Sequence, residues 1–425
     1  MAAKYDYLIV GGGIAGVTAA TILRESAPNS RIAIISREPV IFYSRVMLTS
    51  YIEGGVLREK LILRDEEWFR DQRIDLFLGE SAEILDKKNK TVQTDKGNEF
   101  VFGKLLIATG VRPMLIDIPG AESSRVHYLW DIDEADKIIE RINELNNLPS
   151  DKRKAAIIGG GFVCQSFRKI FSKKDIETHL LMRGDYYWSR YISPAAGALI
   201  NEALENEGII LHPNEKVAEI IDSDNGVILK TKSGNEISAA LVLVGVGIAP
   251  DVDWLRESGV ELDNGIKVNE YMETSLPDVY AAGDAVNYYD PNLGDFHRQG
   301  NWVNGERQGR IAAINMLGNR EAYQAVTSFA IPFLGISFIF VGEYSKKFAD
   351  EAVVRADQAD KKIREFYFRG DRLIGAMLMN AAEDRPLIET AIKDKIELSK
   401  KEKINLKDAD FPLEKTKIWS LTKKQ

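Results

Sequence analysis

Two short glycine runs are the residues whose type and spacing most directly point to chemistry. Gly11-Gly12-Gly13-Ile14-Ala15-Gly16 has the spacing G-x-G-x-x-G, follows the apolar run Tyr7-Leu8-Ile9-Val10 and opens the helix-forming run Val17-Thr18-Ala19-Ala20-Thr21-Ile22-Leu23. In that context the first glycine permits a tight turn, and the second lets backbone N–H groups approach a pyrophosphate. The third lets helix and strand pack closely, with the helix dipole aimed at the phosphates. A second run, Gly159-Gly160-Gly161-Phe162-Val163-Cys164, follows Ala155-Ala156-Ile157-Ile158 and repeats the pattern with Cys164 in the third glycine's place. One intact and one altered copy predict one tightly held dinucleotide and a second ligand whose identity stays open.

Other chemistries find little support. His127, His179, His212 and His297 are isolated, without metal-ligand spacing, and no G-x-S-x-G elbow or P-loop lysine occurs. Cys164 is the only cysteine, which excludes an intramolecular disulfide and a redox dithiol. A thiol at a helix N-terminus has a lowered pKa and can serve as a nucleophile or sensor, but in a packing glycine's place Cys164 reads first as structural. The net charge of −8 argues against nucleic acid as a partner. The longest apolar run, 329–342, is broken by Pro332 and Gly335 and is too short to span a bilayer. With no charged, apolar leader, a soluble cytoplasmic protein is expected.

The elements that must position these residues come in two similar sets. A buried strand ending in Gly-x-x-Pro, Leu105-Leu106-Ile107-Ala108-Thr109-Gly110-Val111-Arg112-Pro113, follows the first turn. Leu241-Val242-Leu243-Val244-Gly245-Val246-Gly247-Ile248-Ala249-Pro250 follows the second at about the same interval. Between turn and closing strand, Asp95-Lys96-Gly97-Asn98 and Lys232-Ser233-Gly234-Asn235 read as hairpin turns of an inserted sheet. Residues 145–154 read as a linker. A helix is expected over about 304–317, and aromatic strands such as 365–376 from about residue 325. The Lys-rich last 25 residues or so, with an isolated Trp419, read as a peripheral arm.

The order of five motifs now becomes informative. The first glycine turn, Tyr43-Ser44-Arg45-Val46-Met47-Leu48-Thr49, Ala108-Thr109-Gly110-Val111-Arg112-Pro113, the second glycine turn and Val279-Tyr280-Ala281-Ala282-Gly283-Asp284 resemble the two-dinucleotide-binding-domain flavoproteins. The likeness is greatest to the FAD-dependent pyridine nucleotide reductases of rubredoxin and ferredoxin, and to the flavin part of NADH-dependent nitrite reductase. It covers roughly residues 5–320, and only weakly the remainder.

The resemblance implies an α/β fold with two Rossmann-like dinucleotide-binding domains plus a small α+β C-terminal domain. Residues 1–115 with 248–324 would bind FAD, 116–247 would form the NAD(P)-binding-like domain, and 325–425 the interface domain. Gly11, Gly13 and Gly16, with the N–H groups of Ile14, Ala15 and Gly16, would hold the FAD pyrophosphate. Glu38, the first acid after the strand Ile32-Ala33-Ile34-Ile35, is the candidate for the adenosine ribose, against the reading of a solvated loop acid. Arg45 would pair with a flavin phosphate or lie beside the isoalloxazine, and Ala82 would line the cofactor. Thr109 and Gly110 would let backbone pass close to it. Asp284, opening a helix, would accept from the ribityl chain or turn helix N–H groups on phosphate. Trp302 would cover part of the flavin or serve as a plain core residue. Ser50 stands where related reductases often have Lys.

In the second module Gly159, Gly161, Phe162, Arg183 and Gly247 would take NAD(P)H. Cys164, Ser166 and Met182 depart from the family pattern there, Ser166 and Met182 standing where acids are usual. Arg183 after Met182 favours a 2′-phosphate, hence NADPH. The same changes fit a site that no longer binds either nucleotide well. The resemblance thus implies an FAD-dependent oxidoreductase passing electrons from NAD(P)H to a protein carrier or a small oxidant. The alternative is an FAD-binding subunit with a degraded nicotinamide site. The C-terminal domain could form a homodimer or dock a partner.

Overall fold

A computed structural model describes residues 3–345, 347–357 and 361–420, without the side chains of residues 162–166. The side chains of Phe162, Cys164 and Ser166 therefore lie outside the described residues. The chain forms two compact units: the first takes in the chain to Met114, Trp130–Ile132 and Ile248–Gln324, the second Leu115–Leu129, Asp133–Gly247 and the chain from Ala325.

In the first unit the apolar run at the N-terminus becomes the strand Ala3–Val10, whose Leu8, Ile9 and Val10 are all buried. Continuous rather than alternating burial is what a parallel strand covered on both faces requires. It pairs in parallel with Ile32–Ser36 and Glu99–Ile107, and Ile74–Leu78 and Val279–Ala281 extend the parallel part of the sheet. Ala82–Asp86 and Thr91–Thr94 add an antiparallel extension. The helix Ile14–Ser26 follows the glycine turn, and Trp302–Met316 packs on it. This close approach needs a small residue, because a Cβ on Gly309 would lie 2.2 Å from the carbonyl oxygen of Ala15.

The second unit repeats the plan. Lys154–Ile158 pairs in parallel with Glu177–Leu181 and Leu241–Val244, flanked by Ile209–His212 and Val126–His127. The helix Phe162–Lys173 follows its glycine turn. Both hairpin turns close alike: Gly97 and Gly234 take φ of 75° and 94°, with their N–H groups donating to the carbonyls of Thr94 and Thr231. A separate five-stranded antiparallel sheet runs Ser328–Phe333, Ile336–Gly342, Arg372–Met379, Lys362–Arg369, Glu351–Asp357. Its residues alternate between two environments. Ile339 and Val341 join a core with Ile388, Ile392, Leu406 and Ile418 from the C-terminal segments, whereas Phe338 and Phe340 meet Trp188.

Three expectations change. Each closing strand is broken where its glycines turn it: Glu99–Ile107 and Val111–Pro113 are separate, as are Leu241–Val244 and Ile248–Pro250. The two proline-ended pieces pair antiparallel with each other in the first unit. No helix opens at Asp284, since the strand Val286–Asp290 follows it and the helix starts only at Trp302. The C-terminal arm is not peripheral. The Arg355 guanidinium donates to the carbonyls of Asp408, Ala409 and Phe411, Ile418 is fully buried, and Trp419 meets Phe366 edge-on. Exposed Lys401, Lys407, Lys415 and Lys417 alternate in the sequence with the buried Leu406 and Ile418, so the apolar side does not stand out there. Among the described residues no helix is long and apolar enough to cross a membrane.

Candidate functional site

The first glycine turn opens on a cavity of about 880 Å³ within the first unit. Gly11 takes φ +119° and its N–H donates to the carbonyl of Ile35 at 2.8 Å. A Cβ there would lie 2.1 Å from the Ala108 carbonyl oxygen, so no side chain fits between turn and closing strand. Gly13 caps the helix Ile14–Ser26 in extended conformation without a side-chain hydrogen bond, and a Cβ on it would meet nothing within 4 Å. The first N–H groups of this helix, its positive pole, therefore face open space suited to an anion.

Gly11, Gly13, Ile14, Ala15, Glu38, Arg45, Ala82, Thr109, Gly110, Asp284 and Trp302 all line this cavity. Gly16 and Ser50 do not. The role of Gly16 is packing, since a Cβ on it would lie 2.0 Å from the Gly11 carbonyl oxygen. Ser50 sits in the helix Leu48–Ile52.

Glu38 is not a solvated loop acid. Its side chain is 20 % exposed, accepts from the Tyr43 hydroxyl at 2.7 Å and forms an ion pair with Arg45. Burial pushes the Tyr43 hydroxyl well above the ordinary phenol range, so it stays a donor. Arg45 also donates to the Trp130 carbonyl at 2.6 Å and lies over the Tyr43 and Trp130 rings, at 5.3 and 5.0 Å. Much of its donor capacity is spent inside the protein, which leaves less for a phosphate than the sequence implies. Burial raises the Asp284 carboxyl above the usual carboxylate range, with Arg298 and Arg45 pulling the other way. Trp302 is half-buried, stacked on Phe42 at 5.9 Å, and forms cavity wall rather than core. The Thr109 hydroxyl donates to the Asp251 carbonyl at 2.8 Å, tying the two closing segments together.

Sequence reasoning missed Trp130, Asp251 and Trp254, which also line the cavity. Arg37 is held by Asp251 at 2.6 Å. The only available signal was the acid directly after Pro250. Two donors at the wall, the Trp254 indole N–H and the Asn301 amide nitrogen, have no partner among the described residues. The uncapped helix, the space beside Gly13 and these spare donors fit a large ligand with an anionic centre and several acceptors, as FAD is.

The second glycine turn has the same backbone. Gly159 takes φ +100°, its N–H donates to Leu181 O at 2.8 Å, and a Cβ on it would lie 2.5 Å from Gly245 O. Gly161 caps the helix Phe162–Lys173 without a side-chain bond, and Gly247 takes φ +136°. The surroundings differ. Met182 is buried at 4 % exposure while Arg183 is exposed. The Tyr187 hydroxyl donates to the Gly161 carbonyl at 2.8 Å, and a Cβ on Gly160 would lie 3.3 Å from the Tyr187 ring. Tyr187 is itself buried and meets Phe333 of the C-terminal sheet at 5.5 Å.

Two modules with these turns define a protein built from two dinucleotide-binding-type domains. Residues 5–309 match the pyridine nucleotide-disulphide oxidoreductase family and 340–416 the reductase C-terminal family, so the chain belongs to the pyridine nucleotide-disulphide oxidoreductases. It is 29 % identical over 413 residues to the ferredoxin reductase subunit of 5,5'-dehydrodivanillate O-demethylase of Sphingobium, covering 96 % of this chain and 97 % of that protein. It is 27 % identical over 406 residues to the nitrite reductase [NAD(P)H] of Bacillus subtilis, covering 95 % of this chain and spanning about half (49 %) of that relative's length. A crystal structure of a ferredoxin reductase from Rhodopseudomonas palustris superposes with a TM-score of 0.84 at 26 % identity, covering 96 % of this chain and 99 % of that one.

Proposed function

We propose that the first unit binds FAD noncovalently and that the protein passes electrons from NAD(P)H to a one-electron protein carrier. The observation that carries the reading is the uncapped start of the helix Ile14–Ser26, facing a cavity that Glu38, Arg45, Asp284 and Trp302 also line. The N–H groups of Ile14 and Ala15 would hold the pyrophosphate. Glu38, fixed by Tyr43 and Arg45, would accept from the adenosine ribose. Asp284 would hold the ribityl side, its proton retained more tightly than in a free carboxyl. Trp302 and Phe42 would exclude water from one end. When bound, FAD supplies acceptance of a hydride and release of single electrons.

The second glycine turn would take the nicotinamide nucleotide, its helix Phe162–Lys173 starting, like the first, without a side-chain cap. The exposed Arg183 beside the buried Met182 favours NADPH. A protein acceptor fits the lone cysteine, which leaves no dithiol for thiol exchange, and it fits the Sphingobium and Rhodopseudomonas relatives, both ferredoxin reductases. One observation favours a second reading, an FAD-binding subunit reduced by a partner: the Tyr187 ring lies on Gly160 and is pinned by Phe333, narrowing the approach to that turn.

Purification tests the flavin reading first. The expected result is a yellow protein that releases FAD on denaturation. A colourless protein that takes up no added FAD overturns it.

A further inference from the structure

We infer that Trp254 makes the cavity selective for a dinucleotide over a mononucleotide, by packing on the adenine of the cofactor; the inference rests on the flavin reading above. Phosphates belong at the glycine turn, and the residues leaving the strand Ile32–Ser36 mark the adenosine end of such a site. Several contacts bring Trp254 to that end. The N–H groups of Gly79 and Glu80 donate to the carbonyls of Glu38 and Ser36, at 3.1 and 2.9 Å, which sets the strand Ala82–Asp86 beside it. The Arg37–Asp251 pair at 2.6 Å draws in the segment that continues into the short turn Asp253–Leu255. There Trp254 lines the cavity with Ala82 and with Ile84, a side chain 52 % exposed. Trp302, stacked on Phe42, belongs to the α-helical side, where Asp284 and Gly305 also line the wall.

The chemistry of Trp254 matches a purine. It is half-buried at the cavity wall. A purine offers a π-face on which such a ring can stack. FMN ends at a phosphate and has no such face at this position. The selectivity therefore falls on a residue outside both glycine turns.

The test is titration of the full-length apoprotein with FAD and, separately, with FMN, followed by flavin fluorescence. For Trp254→Ala the expected outcome is about tenfold weaker FAD binding, the scale of one base–aromatic stack, with FMN binding changed less than about twofold. Trp254→Phe keeps a ring and is expected to recover most of the FAD affinity, which separates stacking from misfolding. Equal weakening toward FAD and FMN in both variants, or unchanged FAD binding in the alanine variant, overturns the inference. Wild-type protein that binds neither flavin overturns the flavin reading itself.

Discussion

At Gly11 and at Gly159 the backbone turns in the same way, with φ of +119° and +100°, yet the neighbours of the two turns are unlike. Beside Gly13 there is open space, and the cavity around it is lined by charged and aromatic side chains. At Gly161, the counterpart of Gly13, a Cβ would lie 3.1 Å from the Gly245 carbonyl oxygen, and the Gly161 carbonyl accepts from Tyr187, which Phe333 backs. The backbone geometry, set by the need for two strands and a helix to meet at one glycine, survives while the surroundings diverge. A glycine motif thus reports that a turn can face a phosphate, and the residues around the turn decide how freely a ligand reaches it.

The sharpest way to break this comparison is to destroy the first turn. In Gly11→Ala a Cβ would lie 2.1 Å from backbone at Ala108. With nothing flexible to yield, FAD affinity should fall by about 100-fold or more, a cost of roughly 3 kcal/mol, read as a protein that purifies without flavin. Gly16→Cys, which transplants the second turn's residue, would set a Cβ 2.0 Å from Gly11 O and should act in the same direction. Gly159→Ala tests whether the second turn serves a separate ligand. Flavin content should be unchanged while stopped-flow reduction by the preferred nucleotide slows by about 30-fold, or roughly 2 kcal/mol. Loss of flavin in this variant would mean the two turns do not act separately.

Smaller effects refine the picture. Arg183→Ala should cut the preference for NADPH over NADH by about tenfold, the scale of one charge-assisted contact to phosphate. An equal effect on kcat/KM for both nucleotides would remove Arg183 from the site. Burial makes folded Asp284 hold its proton more tightly than the unfolded chain does. Its ionised form therefore opposes folding once pH exceeds the ordinary carboxylate value, and this opposition fades in acid. Asp284→Asn should raise the Tm of the apoprotein by about 2 °C at neutral pH, with the difference shrinking as pH falls toward about 4. Melting curves that differ equally at all pH values would contradict this.

Much of the first site was legible because its signals are local. Strand, glycine turn and helix follow one another in the sequence, and Glu38 is the first acid after the second strand. Trp254 and Asp251 were not legible, since long-range contacts bring them to the site, among them the pairing of Val111–Pro113 with Ile248–Pro250 and the Arg37–Asp251 bond across 214 positions. The helix expected at Asp284 failed because a short strand intervenes before Asn301 supplies the real cap, its side chain accepting from Asn304 N. Tyr187 carries no motif, and its place on the second turn depends on Phe333, 146 positions further along the chain by their numbers.

Anaerobic mixing of the purified holoprotein with NADPH and, separately, NADH, following the flavin band near about 450 nm, tests the central claim most directly. Bleaching within seconds, faster with NADPH, is the predicted result. Absence of bleaching with either nucleotide, while dithionite still reduces the flavin, would contradict the claim that the second turn is a working nicotinamide site.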